Sequence, residues 1–351
     1  MSSYDGTMKH EPRVLVVGCG SIGQRHLANL RRLGVEEIYA MDVREERRRE
    51  VAEKFTVSVF ESLEKAWTCD PHVVLVTVPT SLHVPVALEA AFRRCHLFIE
   101  KPLSNTHAEI GQLLGVARQN ELVTLVACNL RFHPGLRRIK QLLTEGAIGT
   151  PIALRAEVGQ YLPDWHPAED YRRSYSAHRE LGGGVILDAI HEMDCARWLL
   201  GEVSAAACMA GKLSQLEIDT EDTAAILLQF ESGALGEVHL DYVQRAYSRT
   251  CQVIGEEGTL HWDYTAGLVR WFSARKKTWS VYTNPDGWQP NQMYLDEMSH
   301  FFRCLRGEEE PAVSVFEGAR VLEIALAAKE ANHRRRWIEL RKQSWNTNPI
   351  L

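Results

Sequence analysis

Along the first 130 positions, short unbroken apolar runs alternate with amphipathic stretches. The runs are VLVV (14–17), EIYAM (37–41), HVVLVTV (72–78), HLFIE (96–100) and LVTLVA (122–127). Short stretches dominated by apolar residues, too short for a spanning helix, mark strands buried on both faces. Between them Ile22, Leu27, Leu30 and Leu33 recur at helical spacing until Gly34, and further helices are expected at 82–92 and 106–119. Strand and helix taken in turn predict a parallel, doubly wound α/β sheet. Beyond about 130 the period changes. A helix over 134–145, an alternating strand at 152–162 and a glycine-led helix over 184–200 lead into strands at 202–211, 222–230, 235–243, 249–255, 259–263, 268–273 and 278–282. The turns ESG (231–233) and EEG (256–258) join neighbours among them, so the second half predicts a large, mainly antiparallel sheet, closed by helices at 291–306 and 315–333. The expected organisation is a flexible tail (1–11), a first domain (12–129) and an α+β domain (130–351).

The first strand runs into Gly18, Gly20 and Gly23, spaced G-x-G-x-x-G, with Ser21 and Ile22 opening the helix. Strand, glycines and helix in that order are the Rossmann dinucleotide fingerprint: glycines let the backbone approach a pyrophosphate, and the helix N-terminus offers free N–H groups. Asp42 ends the second strand, 19 residues after Gly23. A carboxylate there accepts a hydrogen bond from the adenosine ribose and repels a 2′-phosphate, which favours NAD over NADP; Arg44, two residues on, would tolerate the phosphate.

Composition narrows the class. The chain has 351 residues, 45% hydrophobic and 25% charged, with net charge −6. No global positive field attracts nucleic acid or an anionic membrane, and no apolar run spans a bilayer. The basic runs at 44–50 and 333–342 read as solvated helix faces. Eight dispersed cysteines without a C-x-x-C pair fit a reducing compartment, and the N-terminus has no signal-like apolar region, so a cytoplasmic protein is expected.

Two segments carry candidate chemistry. In FIEKPLS, Lys101 follows a buried strand and precedes Pro102, which steers it away from helix. An ammonium held at the cofactor end of the sheet can stabilise developing alkoxide charge. In GGGVILDAIHEMD (182–194), a continuous helix puts Asp188 and Asp194 about 60° to either side of His191, each three residues away. One carboxylate then orients the imidazole and leaves its other nitrogen for proton transfer. Zinc is disfavoured, because the second histidine of H-E-x-x-H is absent, and no metal is expected. The loop 161–180 offers Trp165, Tyr171 and Tyr175 to stack on a sugar ring, and Arg172 or Arg173 to engage an acidic group.

With GCGSIG, TVPTSLH, EKP, NLRFHP and GGGVILDAIHEMD together, residues 12–335 resemble the glucose–fructose oxidoreductase / inositol dehydrogenase / MocA-type (Gfo/Idh/MocA) family. The resemblance implies an NAD(P)-dependent dehydrogenase of a sugar, polyol or nucleotide-sugar. It implies His191 as acid/base, Lys101 polarising the substrate oxygen, Asp188 as the third catalytic residue, and a cis bond before Pro102. Thr77, Pro79 and His83 are expected at the cofactor, with Glu100, Lys101 and Asn129 from the EKP and NLRFHP motifs; Arg131 joins the expected substrate contacts. Many members separate the aspartate and histidine by three residues, whereas only Ala189 and Ile190 intervene here, which leaves Asp194 as an alternative partner for His191. A homodimer or homotetramer through the C-terminal sheet is implied. A non-catalytic NAD-binding regulator and an NAD-dependent glycosidase are the alternative readings of the same fold.

Overall fold

The computed structural model describes residues 12–165 and 169–340. The expected tail, 1–11, lies outside them, as do 166–168 of the aromatic loop and the terminal 341–351. The chain divides into two compact units. One comprises the described residues up to Asn129 together with Pro290–Ala319; the other comprises Leu130–Gln289 and the described residues from Arg320 onward. The second domain expected to run unbroken from 130 is therefore interrupted.

In the first unit the elements follow as β1 (Val14–Val17), α1 (Ser21–Arg32), β2 (Ile38–Met41), α2 (Glu45–Phe55), β3 (Ser58–Phe60), α3 (Leu63–Ala66), β4 (Val73–Val76), α4 (His83–Phe92), β5 (His96–Ile99), α5 (Ile110–Gln119) and β6 (Thr124–Val126). The six strands lie in the order β3-β2-β1-β4-β5-β6 and all their pairings are parallel. This is the doubly wound sheet expected from the apolar runs. The order reverses between β1 and β4, and the crevice beyond the carboxyl ends there is where such sheets bind ligands. Strand β3 and helix α2 are shorter in apolar content than their neighbours and carry no clear periodicity. Helix α5 starts at Ile110 rather than 106, because Glu109 adopts φ 59°, a left-handed conformation that a right-handed helix cannot run through.

The second unit contains α6 (Pro134–Thr144), β7 (Pro151–Gly159), short 3-10 turns across the aromatic loop, α7 (Val185–Asp188), α8 (His191–Leu200), and β8 (Val203–Gly211), β9 (Thr223–Phe230), β10 (Leu235–Asp241), β11 (Ser248–Gly255), β12 (Gly258–Asp263), β13 (Leu268–Ser273) and β14 (Thr278–Thr283). Helix α9 (Asn291–Leu305) then belongs to the first unit; α10 (Val315–Arg334) and β15 (Ile338–Glu339) complete the described chain. The return of α9 has a packing cause: Met298, Phe301 and Leu305 are buried in one core with Val14, Leu27, Leu30 and Phe98.

The large sheet runs β14-β13-β12-β11-β7-β10-β9-β8-β15, antiparallel except for the parallel β7–β10 pair. Strand β9 shows the period of a one-sided sheet: Ala224, Ile226, Leu228 and Phe230 are buried while Ala225, Leu227 and Gln229 are exposed. Helices α8 and α6 pack on this sheet, α8 against β7 and β10 and α6 against β12 and β13.

His133, the N-cap of α6, has an energetic consequence. Its Nδ1 accepts a hydrogen bond from Gly135 N at 3.0 Å, and its ring packs edge-on against Trp262 and Trp288, centroids 4.9 and 4.7 Å away. Burial, aided by the charge of Arg249, pushes the imidazole down from 6.5 to about 3. The unfolded chain therefore binds a proton that the folded protein refuses. The stability this contributes is complete above about pH 6.5 and is lost as pH falls towards 3. His133→Phe should lower stability at neutral pH, by about 1–3 kcal/mol for the stranded Gly135 N–H, yet flatten the fall in Tm between about pH 7 and 4. Thermal melts across that range check it, and an unchanged slope would show that other groups govern the acid limb.

Candidate active site

The turn after β1 is built by close backbone approach. Gly18 lies at φ 100°, and a Cβ there would stand 2.6 Å from Thr77 O; a Cβ on Gly23 would stand 2.0 Å from Gly18 O. Thr77, at the end of β4, donates its hydroxyl to Gly18 O at 2.6 Å and lies 2.9 Å from Val17 O. Gly20, the N-cap of α1, is different: the nearest atom to its absent side chain is Arg47 Nη1 at 3.5 Å, and no side chain caps the helix. Ser21 and Ile22 open α1. An uncapped helix start over an open glycine fits a pyrophosphate, whose oxygens would take the N–H groups that a capping side chain otherwise uses.

Asp42 is buried at the end of β2, and its two oxygens each accept one backbone N–H, from Cys19 and from Arg44, both at 2.8 Å. A carboxylate oxygen can accept more than one hydrogen bond, so the ribose contact expected of Asp42 is compatible with this role in the turn. The Arg44 side chain is exposed, and the arginine beside the carboxylate is Arg47, 3.7 Å from Asp42 Oδ2. Sequence reasoning missed Arg47 because the start of α2 at Glu45, which turns it back over the loop, has no apolar period.

Lys101 is half-buried after β5, and its bond to Pro102 is cis, as the resemblance implied. Glu100 is buried; its Oε1 pairs with His26 Nε2 at 2.7 Å and its Oε2 accepts Lys101 N at 3.2 Å. His83 is wholly committed to protein: its Nδ1 lies 2.7 Å from Pro102 O and its Nε2 2.9 Å from Val78 O. Its ring ties the turn after β4 to the Lys101–Pro102 turn. Burial leads in pushing that imidazole below its usual range. Pro79, partly buried, caps the 3-10 turn ahead of α4. Asn129 is buried and hydrogen-bonded to Tyr294 of α9.

In the second unit the helix expected over 184–200 is broken. Ala189 takes φ −93° and ψ 32°, so α7 ends at Asp188 and α8 begins at His191. Angles on one helical wheel do not carry across that break, and the two-residue spacing does not impose the 100° turn it would in a continuous helix. Gly184, at φ 109°, would bring a Cβ within 2.5 Å of Glu221 Oε1, which explains the glycine lead.

His191 and Asp188 are both buried. Asp188 Oδ2 accepts a hydrogen bond from Tyr242 OH at 2.5 Å. Burial first, then the Asp188 charge, pushes the Tyr242 phenol well above its usual range, so it stays a donor. Trp165 packs edge-on against Tyr242, centroids 5.3 Å apart. Asp194 is paired with Arg131: Arg131 Nη2 reaches its Oδ1 at 2.6 Å and Arg131 Nε its Oδ2 at 3.0 Å. The same pair occupies Arg131, expected at the substrate. Glu192 is likewise held, by Arg249 at 2.7 and 3.1 Å. In the loop, Tyr171 OH accepts Glu217 N at 3.1 Å, while Arg172 binds Asp170 and Glu217, so its charge is met within the protein. Tyr175 is partly buried. Among the described residues no three His, Cys, Asp or Glu side chains gather as a metal site.

Comparison with known proteins follows this geometry. Residues 12–128 match the oxidoreductase family with an NAD-binding Rossmann fold, and residues 136–261 match the GFO/IDH/MocA C-terminal domain. The chain is 30% identical to a myo-inositol 2-dehydrogenase of Thermotoga maritima, over 93% of this chain and 98% of that protein. It is 27% identical to a scyllo-inositol 2-dehydrogenase (NAD(+)) of Bacillus subtilis, over 92% and 94%. A levoglucosan dehydrogenase in complex with NADH and levoglucosan has the same fold, with TM-score 0.85, 22% identity, and 94% and 99% of the two chains covered.

Removing the phenol hydroxyl tests the second-unit geometry. Tyr242→Phe removes the buried hydroxyl that donates to Asp188 and should cost about 1–3 kcal/mol of stability in urea unfolding, with NADH affinity by fluorescence unchanged. A neutral result would show that Tyr242 does not hold Asp188.

Proposed function

The chain belongs to the Gfo/Idh/MocA family of oxidoreductases, with an NAD-binding Rossmann domain, and from that premise we propose that it interconverts a secondary alcohol and a ketone on a sugar, polyol or nucleotide-sugar. The observation that carries this reading is His191: a buried imidazole opening α8, directly after a break that follows an aspartate held by Tyr242. NAD, when bound, supplies the hydride acceptor. His191 takes the hydroxyl proton as the carbinol C–H bond breaks, and Lys101 donates a hydrogen bond to the same oxygen and offsets its growing charge. Asp188 orients imidazole or substrate. In reduction His191 returns the proton. With Asp194 bound to Arg131, Asp188 is the carboxylate for this role.

The cofactor contacts in this reading come from Gly18, Gly20, Ser21, Ile22 and Gly23 at the pyrophosphate and Asp42 at the ribose, with Thr77, Pro79, Glu100 and Asn129 shaping the nicotinamide end. The negative Asp42 favours NAD over NADP. Trp165 and Tyr175 supply aromatic surface for a sugar ring. Two further proposals concern the setting. No disulfide joins the eight cysteines, which suits the cytoplasm; no helix among the described residues is long and apolar enough to cross a membrane. The outer face of the large sheet exposes Met209 and Leu227 beside Arg155 and Glu237 around a groove of about 1110 Å³, and we assign it to a second copy of the chain.

Purified protein with NAD should reduce the cofactor with at least one member of a panel of sugars, inositols, sugar acids and nucleotide-sugars, read as NADH absorbance. His191→Ala and Lys101→Ala should each bind NADH normally and lose turnover by roughly 10²–10⁴-fold; near-normal turnover in both contradicts the assignment. Leu227→Glu should convert a dimer or tetramer to a smaller species in sedimentation, and a wild-type monomer would contradict the interface.

A further inference from the structure

His26 lies on the buried face of α1, wholly inside the first unit, with Phe98 edge-on at 5.1 Å. Its Nε2 meets Glu100 Oε1 at 2.7 Å, while Nδ1 is buried without a hydrogen-bond partner. Since a carboxylate only accepts, Nε2 carries the proton. Glu100 in turn takes the Lys101 N–H on its other oxygen. The helix that begins at the dinucleotide turn is thus wired, through one imidazole and one carboxylate, to the backbone of the lysine.

We propose that His26 is a positioning residue, which holds Glu100 as the carboxylate that fixes and electrostatically supports Lys101. This deepens the proposed function and rests on it for the role of Lys101 in turnover. The groups facing Glu100 are few: His26 from α1, His83 from α4, Lys101 beside it, and Tyr294 from α9, over which Arg25 lies at 4.4 Å. Burial pushes the Glu100 carboxyl up, but the His26 hydrogen bond and the positive charge of its neighbours outweigh it, so the group sits below the usual range. His26 supplies a side-chain hydrogen-bond donor in that set. Without it, burial favours a neutral Glu100, and the ammonium of Lys101 loses a fixed negative neighbour.

The test reads Lys101 directly and needs no substrate. The full-length protein is labelled with acetic anhydride at neutral pH, and acetylation of Lys101 is measured by peptide mass spectrometry against exposed Lys276. His26→Leu and Glu100→Gln should each raise relative Lys101 labelling by about three- to tenfold, because the lysine is no longer held beside a fixed carboxylate. The double variant should do no more than either single change, because both cut the same connection. His26→Gln, which keeps an N–H donor, should return labelling towards wild type. Unchanged labelling in a folded His26→Leu protein, or additive effects in the double variant, overturns the proposal. Loss of turnover in His26→Leu with unaltered NADH affinity, rescued by His26→Gln, supports the catalytic link. If Lys101→Ala retains turnover while the labelling pattern holds, the catalytic reading has failed and the positioning role stands.

Discussion

A carbonyl oxygen only 2.0 Å from where a side chain on Gly23 would begin is the constraint on which the first unit is built. It forces helix α1 against the end of β1, and the Thr77 hydroxyl locks the same turn to β4. With α1 fixed in this way, its uncapped start faces the crevice where the strand order reverses. Its buried face delivers His26 to Glu100, one residue from Lys101. The glycine turn and the carboxylate beside Lys101 are therefore joined through one helix. The packing of α9 residues Met298, Phe301 and Leu305 into that core adds support from a segment distant in sequence.

The second unit handles crowded charge by giving each carboxylate its own partner. Asp188 goes to Tyr242, Glu192 to Arg249 and Asp194 to Arg131, three partners outside the helix itself. Buried ions cost several kcal/mol unless paired with good geometry, and removing one partner strands the other. The arrangement leaves His191 flanked by groups whose positions are settled by distant residues. It also bears on the crowding of GGGVILDAIHEMD: two of its three carboxylates after the glycines meet arginines, and the third meets a neutral hydroxyl.

Much of this was legible in the sequence where one physical pattern dominates. Unbroken apolar runs identified the parallel strands, G-x-G-x-x-G the tight turn, and period-two alternation the large sheet. What was not legible depends on partners far along the chain. No local signal marks the break at Ala189, which sits inside a good helical pattern. Arg131 and Asp194, 63 residues apart, look in sequence like a substrate arginine and a spare orienting carboxylate. Arg172 looks like an anion site until Asp170 and Glu217 are seen to meet it. His26 did carry a faint signal: it shares the apolar face of α1 with Leu27 and Leu30, where a histidine needs a buried acceptor.

The central claim is that a carbinol hydrogen passes as hydride to the nicotinamide while His191 handles the proton. The most direct measurement uses whichever alcohol of the panel reduces NAD, deuterated at its carbinol carbon, with wild-type protein and NAD, and the reduced cofactor analysed by mass spectrometry. The account predicts one deuterium in each reduced nicotinamide. Reduced cofactor lacking deuterium, with the label released to water, would contradict it.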